Sequence, residues 1–158
     1  MHSRIIELGN APILPDDRMG ECSVPEWFYH SIADYTNAET DRDEDLKWFL
    51  EIVGHIVDVA EDGESFTFKP NAKKKYFHRQ YYAFLDKARE LTGISIEAFC
   101  AETPYDIGMA MYKLNEAYQD KFSFYIYYQD KLKTLDEWIR ETDLSESFYF
   151  GGTLDYHF

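Results

Sequence analysis

One segment of the sequence places two carboxylates and an imidazole at the spacing of a helix face. Glu26, His30 and Asp34 stand four residues apart, and residues at this spacing lie one above the other on a helix. Such groups bind divalent metals or act as general acids and bases, so the pattern is a candidate for a small metal-dependent hydrolase. A solvated helix face, with a local hydrogen bond between histidine and carboxylate, explains the same spacing.

A second acidic segment alternates its carboxylates in the manner of a calcium-binding loop. Asp41, Asp43 and Asp45 provide the alternation, but such a loop needs glycine at its sixth position and glutamate at its twelfth. Leu46 and Ile52 occupy those positions. The segment is therefore predicted to be the acidic first turn of a helix, where the helix dipole favours negative charge.

The remaining reactive residue types form no known catalytic pattern. Cys22 and Cys100 lack the spacing of a metal knuckle or a redox pair. They are predicted to be reduced, apolar helix residues of a cytoplasmic protein, since the sequence begins without a recognisable secretory signal. The common phosphate-loop, nucleotide-binding, GxSxG and HExxH motifs do not occur in the sequence. We therefore expect no cofactor and favour a non-enzymatic function, although an unusual enzyme is not excluded.

The charge of the chain is strongly negative. The 158 residues include 30 acidic and 16 basic side chains, for a net charge of −14. Nucleic acids and anionic membranes repel such a surface, so we expect no direct nucleic-acid binding and no membrane association. A basic protein is the favoured partner, whereas a role in solubility alone is the simpler explanation. Residues 70–91 depart from the trend with 6 basic and 2 acidic residues, and they are expected to complement acidic segments of the same chain or an acidic partner.

The elements that position these residues predict a single acidic α+β domain over residues 1–158. Asp62-Gly63, between two β-forming runs, predicts a hairpin near residues 56–69 with a two-residue type I′ turn. Its register pairs Val59 with Phe66 and Val57 with Phe68, which places apolar residues on one face. The longest helix is expected near residues 71–91. Because helices and strands alternate without a regular βαβ order, we expect a mainly antiparallel sheet with helices on one face. The apolar stripe of the longest helix is predicted to be buried and consists of Phe77, Tyr81, Phe84, Leu85, Ala88 and Leu91.

Tyrosines on a later strand are candidates for a protein-binding surface. If Phe124 and Ile126 face the core, Tyr125 and Tyr127 point to the other side, beside Tyr149. Exposed tyrosines are typical of protein interfaces, but a second layer of helices would bury them instead.

The extreme C-terminus repeats an acid and a histidine on one strand face. Asp155 and His157 stand two residues apart, so they point the same way on a strand. Chain ends commonly fray, and no site is predicted there.

The sequence therefore favours a non-enzymatic domain that binds a basic protein through an acidic, tyrosine-bearing surface. The first alternative is a nucleic-acid mimic that inhibits a DNA- or RNA-binding enzyme (an anti-restriction or anti-CRISPR type), with carboxylates in place of phosphates. The second alternative is the hydrolase built on Glu26, His30 and Asp34. The predicted binding surface comprises Tyr125, Tyr127, Tyr149, Asp41, Asp43, Glu44, Asp45, Glu61, Asp62 and Glu64.

Overall fold

A computed structural model describes residues 1–103 and 105–158, which group into two compact units. Unit 1 comprises Met1–Lys73 and Phe122–Phe158, and unit 2 comprises Lys74–Lys121. Compactness does not test independent folding, so a single domain over residues 1–158 stays a prediction. No helix in the described ranges is long and apolar enough to cross a bilayer. The strands are β1 His2–Gly9, β2 Tyr35–Asn37, β3 Val57–Val59, β4 Ser65–Phe68, β5 Tyr125–Tyr128, β6 Lys131–Thr134 and β7 Ser147–His157. The helices are α1 Glu26–Ser31, α2 Arg42–Val53, α3 Ala72–Thr92, α4 Ile96–Phe99, α5 Tyr105–Tyr118 and α6 Leu135–Glu141.

The described strands form one sheet in unit 1. Their order is β3-β4-β7-β1-β5-β6, and β2 also pairs with β7. All pairs are antiparallel except β1 with β5, in which Ile5 lies opposite Tyr125. The predicted α+β class with a mainly antiparallel sheet is therefore confirmed. The parallel pair joins segments that lie far apart in the chain, so no local pattern could have predicted it.

β3 and β4 form the hairpin in the predicted register. Val59 lies opposite Phe66 and Val57 lies opposite Phe68. The predicted turn type, however, is wrong. A type I′ turn needs positive φ at both central residues, whereas in this turn only Gly63 has one, at 74°. The Gly63 N–H instead donates to the Ala60 carbonyl at 2.9 Å, which makes the connection wider than two residues.

Helices cover both faces of the sheet, so the prediction of one covered face is wrong. On one side the ring of Phe49 from α2 lies 6.1 Å from that of Phe124. On the other side Phe28 from α1 lies 4.9 Å from Tyr125. Phe124 and Tyr125 are neighbours in sequence and point to opposite faces, yet both are buried. The helices on the second face of the sheet therefore determine whether the strand tyrosines are buried or exposed.

The described residues of unit 2 form a helical hairpin of α3 and α5, joined by a segment that contains the short helix α4. Tyr118 of α5 lies beside α3, since its ring is 6.0 Å from that of Phe84 and its carbonyl accepts from Gln80 Nε2 at 2.7 Å. The position of α3 confirms the predicted longest helix. The predicted burial of its apolar stripe is wrong, because Tyr81 is exposed and the rest of the stripe is only half-buried. No residue of unit 2 that the structure describes is fully buried. The half-buried members are Phe77, Phe84, Leu85, Ala88 and Leu91.

Candidate interaction surface

The first turn of α2 presents two carboxylates next to a capping aspartate. Asp41 Oδ1 accepts the backbone N–H groups of Asp43 and Glu44 at 3.1 and 3.2 Å. These bonds satisfy two of the donors that a helix start leaves unpaired. The side chains of Asp43 and Glu44 are exposed, and the helix dipole stabilises negative charge at this end. The acidic helix start predicted from the sequence is therefore confirmed.

Arg42 joins this turn to the acidic turn of the β3–β4 hairpin. Its Nη2 donates to Glu64 Oε2 and its Nε donates to the Gly151 carbonyl, both at 2.8 Å. The Arg42 side chain is only 18% exposed, and its Nη1 also lies 3.9 Å from Asp43 Oδ1. The two acidic segments consequently lie side by side on unit 1. We define the acidic face as their exposed carboxylates, which are Glu39, Asp41, Asp43, Glu44, Glu61, Asp62 and Glu64.

Asp45 does not belong to the acidic face. It is 3% exposed, because the helical repeat turns it toward β1 and β7. Its Oδ1 forms an ion pair with Arg4 Nε, and its Oδ2 accepts from Thr153 Oγ1 at 2.8 Å. Arg4 Nη1 pairs in turn with Asp155. The prediction that Asp45 is a surface binding residue is therefore wrong.

The predicted tyrosine surface is largely covered. Tyr125 is 3% exposed under α1, so the prediction that it lies on an open surface is wrong. Tyr127 and Tyr149 are half-buried and stand on β5 and β7, which β1 separates. Burial raises the pKa of Tyr127, and its hydrogen bond to Asp130 Oδ1 at 3.2 Å raises it further. Two partly covered rings are therefore all that this part of the predicted surface retains.

Another buried carboxylate, that of Glu7, lies on the α1 side of the sheet. Its Oε2 accepts the backbone N–H groups of Met19 at 2.9 Å and Gly152 at 2.7 Å. A side chain at Gly151 would collide with it, since a Cβ there would lie 2.6 Å from Glu7 Cδ. β7 continues without a break through Gly151 and Gly152, opposite an irregular stretch of β1. Glu7 and Asp45 thus have separate partners and do not converge on one point.

The two chain ends form a polar cluster that sequence patterns did not predict. His2 Nδ1 lies 2.8 Å from Asp155 Oδ2, and His157 Nδ1 lies 3.1 Å from Asp34 Oδ2. The His157 ring stacks on Tyr35 with centroids 5.3 Å apart. The C-terminal segment is an ordered part of the sheet, because β7 pairs with β1 and β2 up to His157. The spacing of Asp155 and His157 on one strand was the only local signal of this cluster.

The residues of the hydrolase hypothesis do not come together. α1 ends at Ser31, so Asp34 lies beyond the helix and contacts His157 instead. Glu26 Oε1 and His30 Nε2 are 3.4 Å apart, and both side chains are exposed. Over residues 1–103 and 105–158, no group of three histidine, cysteine or acidic side chains is placed to hold a metal ion.

Both cysteines are exposed, so the prediction that they behave as apolar helix residues is wrong. Cys100 follows directly after α4, whose Ile96 and Phe99 are also exposed. This short helix therefore carries its apolar side chains on the surface of unit 2.

Two cavities of unit 1 adjoin the C-terminal end of α6. Lys133 is ion-paired with Glu141, and the hydrogen bond from this lysine lowers the pKa of the carboxyl group. Asp143 lines both cavities, and the backbone N–H of Ser145 lowers its pKa. These carboxylates are therefore held in their charged form by neighbours within the same unit. The smaller cavity, of about 310 Å³, is lined in part by Tyr128, Lys131, Lys133, Trp138 and Glu141, and the larger, of about 570 Å³, by Phe68, Pro70, Lys73 and Leu144.

Comparison of the chain with protein-family models, curated proteins and solved structures gives no significant match. The functional interpretation therefore depends on the charges, burial and contacts of the chain itself. The two relevant features are the acidic face of unit 1 and the exposed apolar side chains of unit 2.

Proposed function

We propose that this protein is a non-enzymatic binding protein that recognises a basic protein partner through the acidic face. The observation that carries the proposal is the contact of Arg42 with Glu64, which holds two acidic segments in one surface. The arginine offsets part of the charge of Glu64 and Asp43, but the other carboxylates leave the acidic face negative overall. A concentrated field of this kind attracts a cationic partner from beyond contact distance and orients its approach.

The distribution of charge between the units supports the same proposal. Residues 1–73 and 122–158 contain 23 of the 30 acidic residues and 9 of the 16 basic residues, whereas residues 74–121 contain seven of each. Unit 1 therefore carries the whole net charge of −14, and unit 2 is neutral. Association of a basic partner with unit 1 should be fast at low ionic strength and should weaken as salt screens the exposed charges.

The test compares two variants that remove equal charge from different parts of unit 1. Asp43→Asn/Glu61→Gln alters the acidic face, and Asp16→Asn/Glu26→Gln removes exposed carboxylates elsewhere. Binding of a labelled lysine- and arginine-rich peptide is followed by fluorescence anisotropy at about 50 and about 200 mM salt. An exposed charge pair contributes about 0.5 kcal/mol, so loss of two pairs should raise the Kd about fivefold.

The matched variant should leave the affinity within about twofold of the unmodified protein, since distant exposed charges are screened. Equal weakening by the two variants would mean that the peptide responds only to net charge. That outcome would contradict a localised binding face.

The acidic face supports a second candidate function, that of a nucleic-acid mimic. The observation that favours it is that unit 1 brings the exposed carboxylates of two segments together in one face. A mimic must displace duplex DNA from a DNA-binding enzyme in competition with phosphate contacts. Release of labelled duplex from a non-specific nuclease, lost in Asp43→Asn/Glu61→Gln and retained in the matched variant, would favour the mimic. Peptide binding without release of DNA would favour the basic protein partner.

A further inference from the structure

Unit 2 leaves large apolar side chains in solvent. Phe99 is 75% exposed and Tyr105 is 71% exposed. Single exposed apolar residues are ordinary, but a group of this size within 48 residues marks an interaction surface. The most exposed members are Tyr81, Tyr82, Ile96, Phe99, Tyr105, Met111 and Tyr112.

The exposed area is of the size that a stable interface requires. A large side chain that is half exposed or more leaves roughly 100 Å² in water. Tyr81 and Tyr82, and likewise Met111 and Tyr112, are neighbours on a helix and point in different directions, so at most five of the seven can share one face, with roughly 500 Å². A stable protein interface buries about 800 Å² on each partner, and somewhat more than half of that area is apolar. Two helices alone also cannot enclose an apolar core, whereas four can. Unit 2 therefore has the area and the architecture of one half of a four-helix assembly.

The charges of unit 2 are separated along the length of the hairpin. We define the base end by Lys74, Lys75 and Arg79, which are exposed on α3 in a stretch without acidic residues. The rest of the base end, residues 113–121, carries two basic and two acidic residues. The base end is therefore positive overall.

The opposite end of the hairpin is negative. We define the tip as residues 91–112, which contain three acidic residues and no basic one. Between the tip and the base end, Lys87 pairs with Glu90 at 2.8 Å and Arg89 pairs with Asp86 at 2.6 Å, so the middle of the hairpin is internally neutral. The tip acids are Glu97, Glu102 and Asp106.

We propose that unit 2 binds unit 2 of a second copy of this chain in an antiparallel two-fold dimer, with the tip of each hairpin against the base end of the other. A two-fold axis brings the same surface of both copies together, so a hairpin with opposite charges at its two ends complements itself. The same contact covers the exposed apolar side chains of both copies. The proposed contact involves residues of unit 2 only, whereas the acidic face belongs to unit 1.

The test measures self-association of the full chain by sedimentation velocity between about 1 and about 200 μM at physiological ionic strength. The unmodified protein should form a dimer in this range. Lys74→Glu/Lys75→Glu should weaken the dimer at least tenfold, because two-fold symmetry repeats each substitution and like charges then face one another. Glu97→Lys/Glu102→Lys should do the same. The variant that carries all four substitutions should dimerise with a Kd within about threefold of that of the unmodified protein, since the charges are exchanged rather than lost.

The matched control for Glu97→Lys/Glu102→Lys is Asp16→Lys/Glu26→Lys, which makes the same charge change on exposed residues of unit 1 and should not weaken the dimer. Circular dichroism checks that every variant keeps its helix content. Hydrogen exchange on the unmodified protein should show protection of residues 74–121 that increases with concentration.

A monomer over the whole concentration range would overturn the proposal and would assign the surface to a different protein. Failure of the four reversals to restore dimerisation, or concentration-dependent protection confined to unit 1, would also overturn it. None of these variants alters Asp43 or Glu61, so the outcome is separate from the test of the acidic face.

Discussion

Replacing Asp45 with asparagine is a direct test of how α2 is held against the sheet. Asparagine keeps the size of the side chain, and its carbonyl can still accept the hydrogen bond from Thr153. The substitution removes the negative charge opposite Arg4. Arg4 would keep its ion pair with Asp155 and its place over the Trp48 ring, where Cζ lies 5.3 Å from the ring centroid.

The expected loss follows from the burial of the two partners. Removing one member of a buried ion pair costs about 3–5 kcal/mol. Because Arg4 is 21% exposed and retains Asp155, the loss should be nearer to about 2–3 kcal/mol of the free energy of unfolding. For a chain of this length each 1 kcal/mol shifts the Tm by about 2–4 °C, so Asp45→Asn should lower the Tm by about 4–12 °C.

Urea unfolding followed by tryptophan fluorescence suits this measurement, since Trp27, Trp48 and Trp138 all belong to unit 1. Asp43→Asn is the matched control, because it changes the same helical turn at an exposed position and loses only about 0.3–1 kcal/mol of helix-dipole stabilisation. If the two variants lost the same free energy to within about 0.5 kcal/mol, the buried pair of Asp45 with Arg4 would have no stabilising role and the reasoning would be refuted.

Three further substitutions test other contacts of unit 1. Gly151→Ala should cost about 1–3 kcal/mol, because its Cβ would displace the Glu7 side chain from two backbone donors; an unchanged thermal melt would disprove this. Thr134→Ala should cost about 1 kcal/mol, since it removes the hydroxyl that accepts the Glu137 N–H at 3.2 Å and donates to Glu137 Oε2 at 3.1 Å, and a shift of the urea midpoint would measure the loss. The raised pKa of Tyr127 predicts stability that is complete below about pH 10 and is lost as the pH rises through the folded-state value. Tyr127→Phe should therefore reduce alkaline destabilisation, and unchanged alkaline melts would contradict the assignment.

Features that depend on neighbouring residues were predictable from the sequence. The hairpin register follows from apolar alternation on both sides of Gly63, and the start of α6 follows from Thr134 with Glu137 three residues later. The position of α3 follows in the same way from its apolar repeat. The turn type was predicted less well, because Asp-Gly is compatible with more than one connection of the same register.

Features that depend on distant segments were not predictable. Asp41 and Asp45 belong to one acidic run, yet one caps a helix in solvent and the other is buried against Arg4. The difference depends on where β1 lies relative to α2. Tyr125 is buried because α1 covers a face of the sheet that the strand pattern alone left open.

By itself the sequence determined the α+β class, the mainly antiparallel sheet, the hairpin register and the excess of carboxylates, since each depends on composition or on contacts between near neighbours. Only the tertiary structure decided which carboxylates face solvent, that Arg42 brings two acidic segments together, and that the net charge lies in one unit while the exposed apolar residues are concentrated in the other. The physical reason is that burial and ion pairing depend on which distant segment covers a side chain, and a local pattern carries no information about that segment.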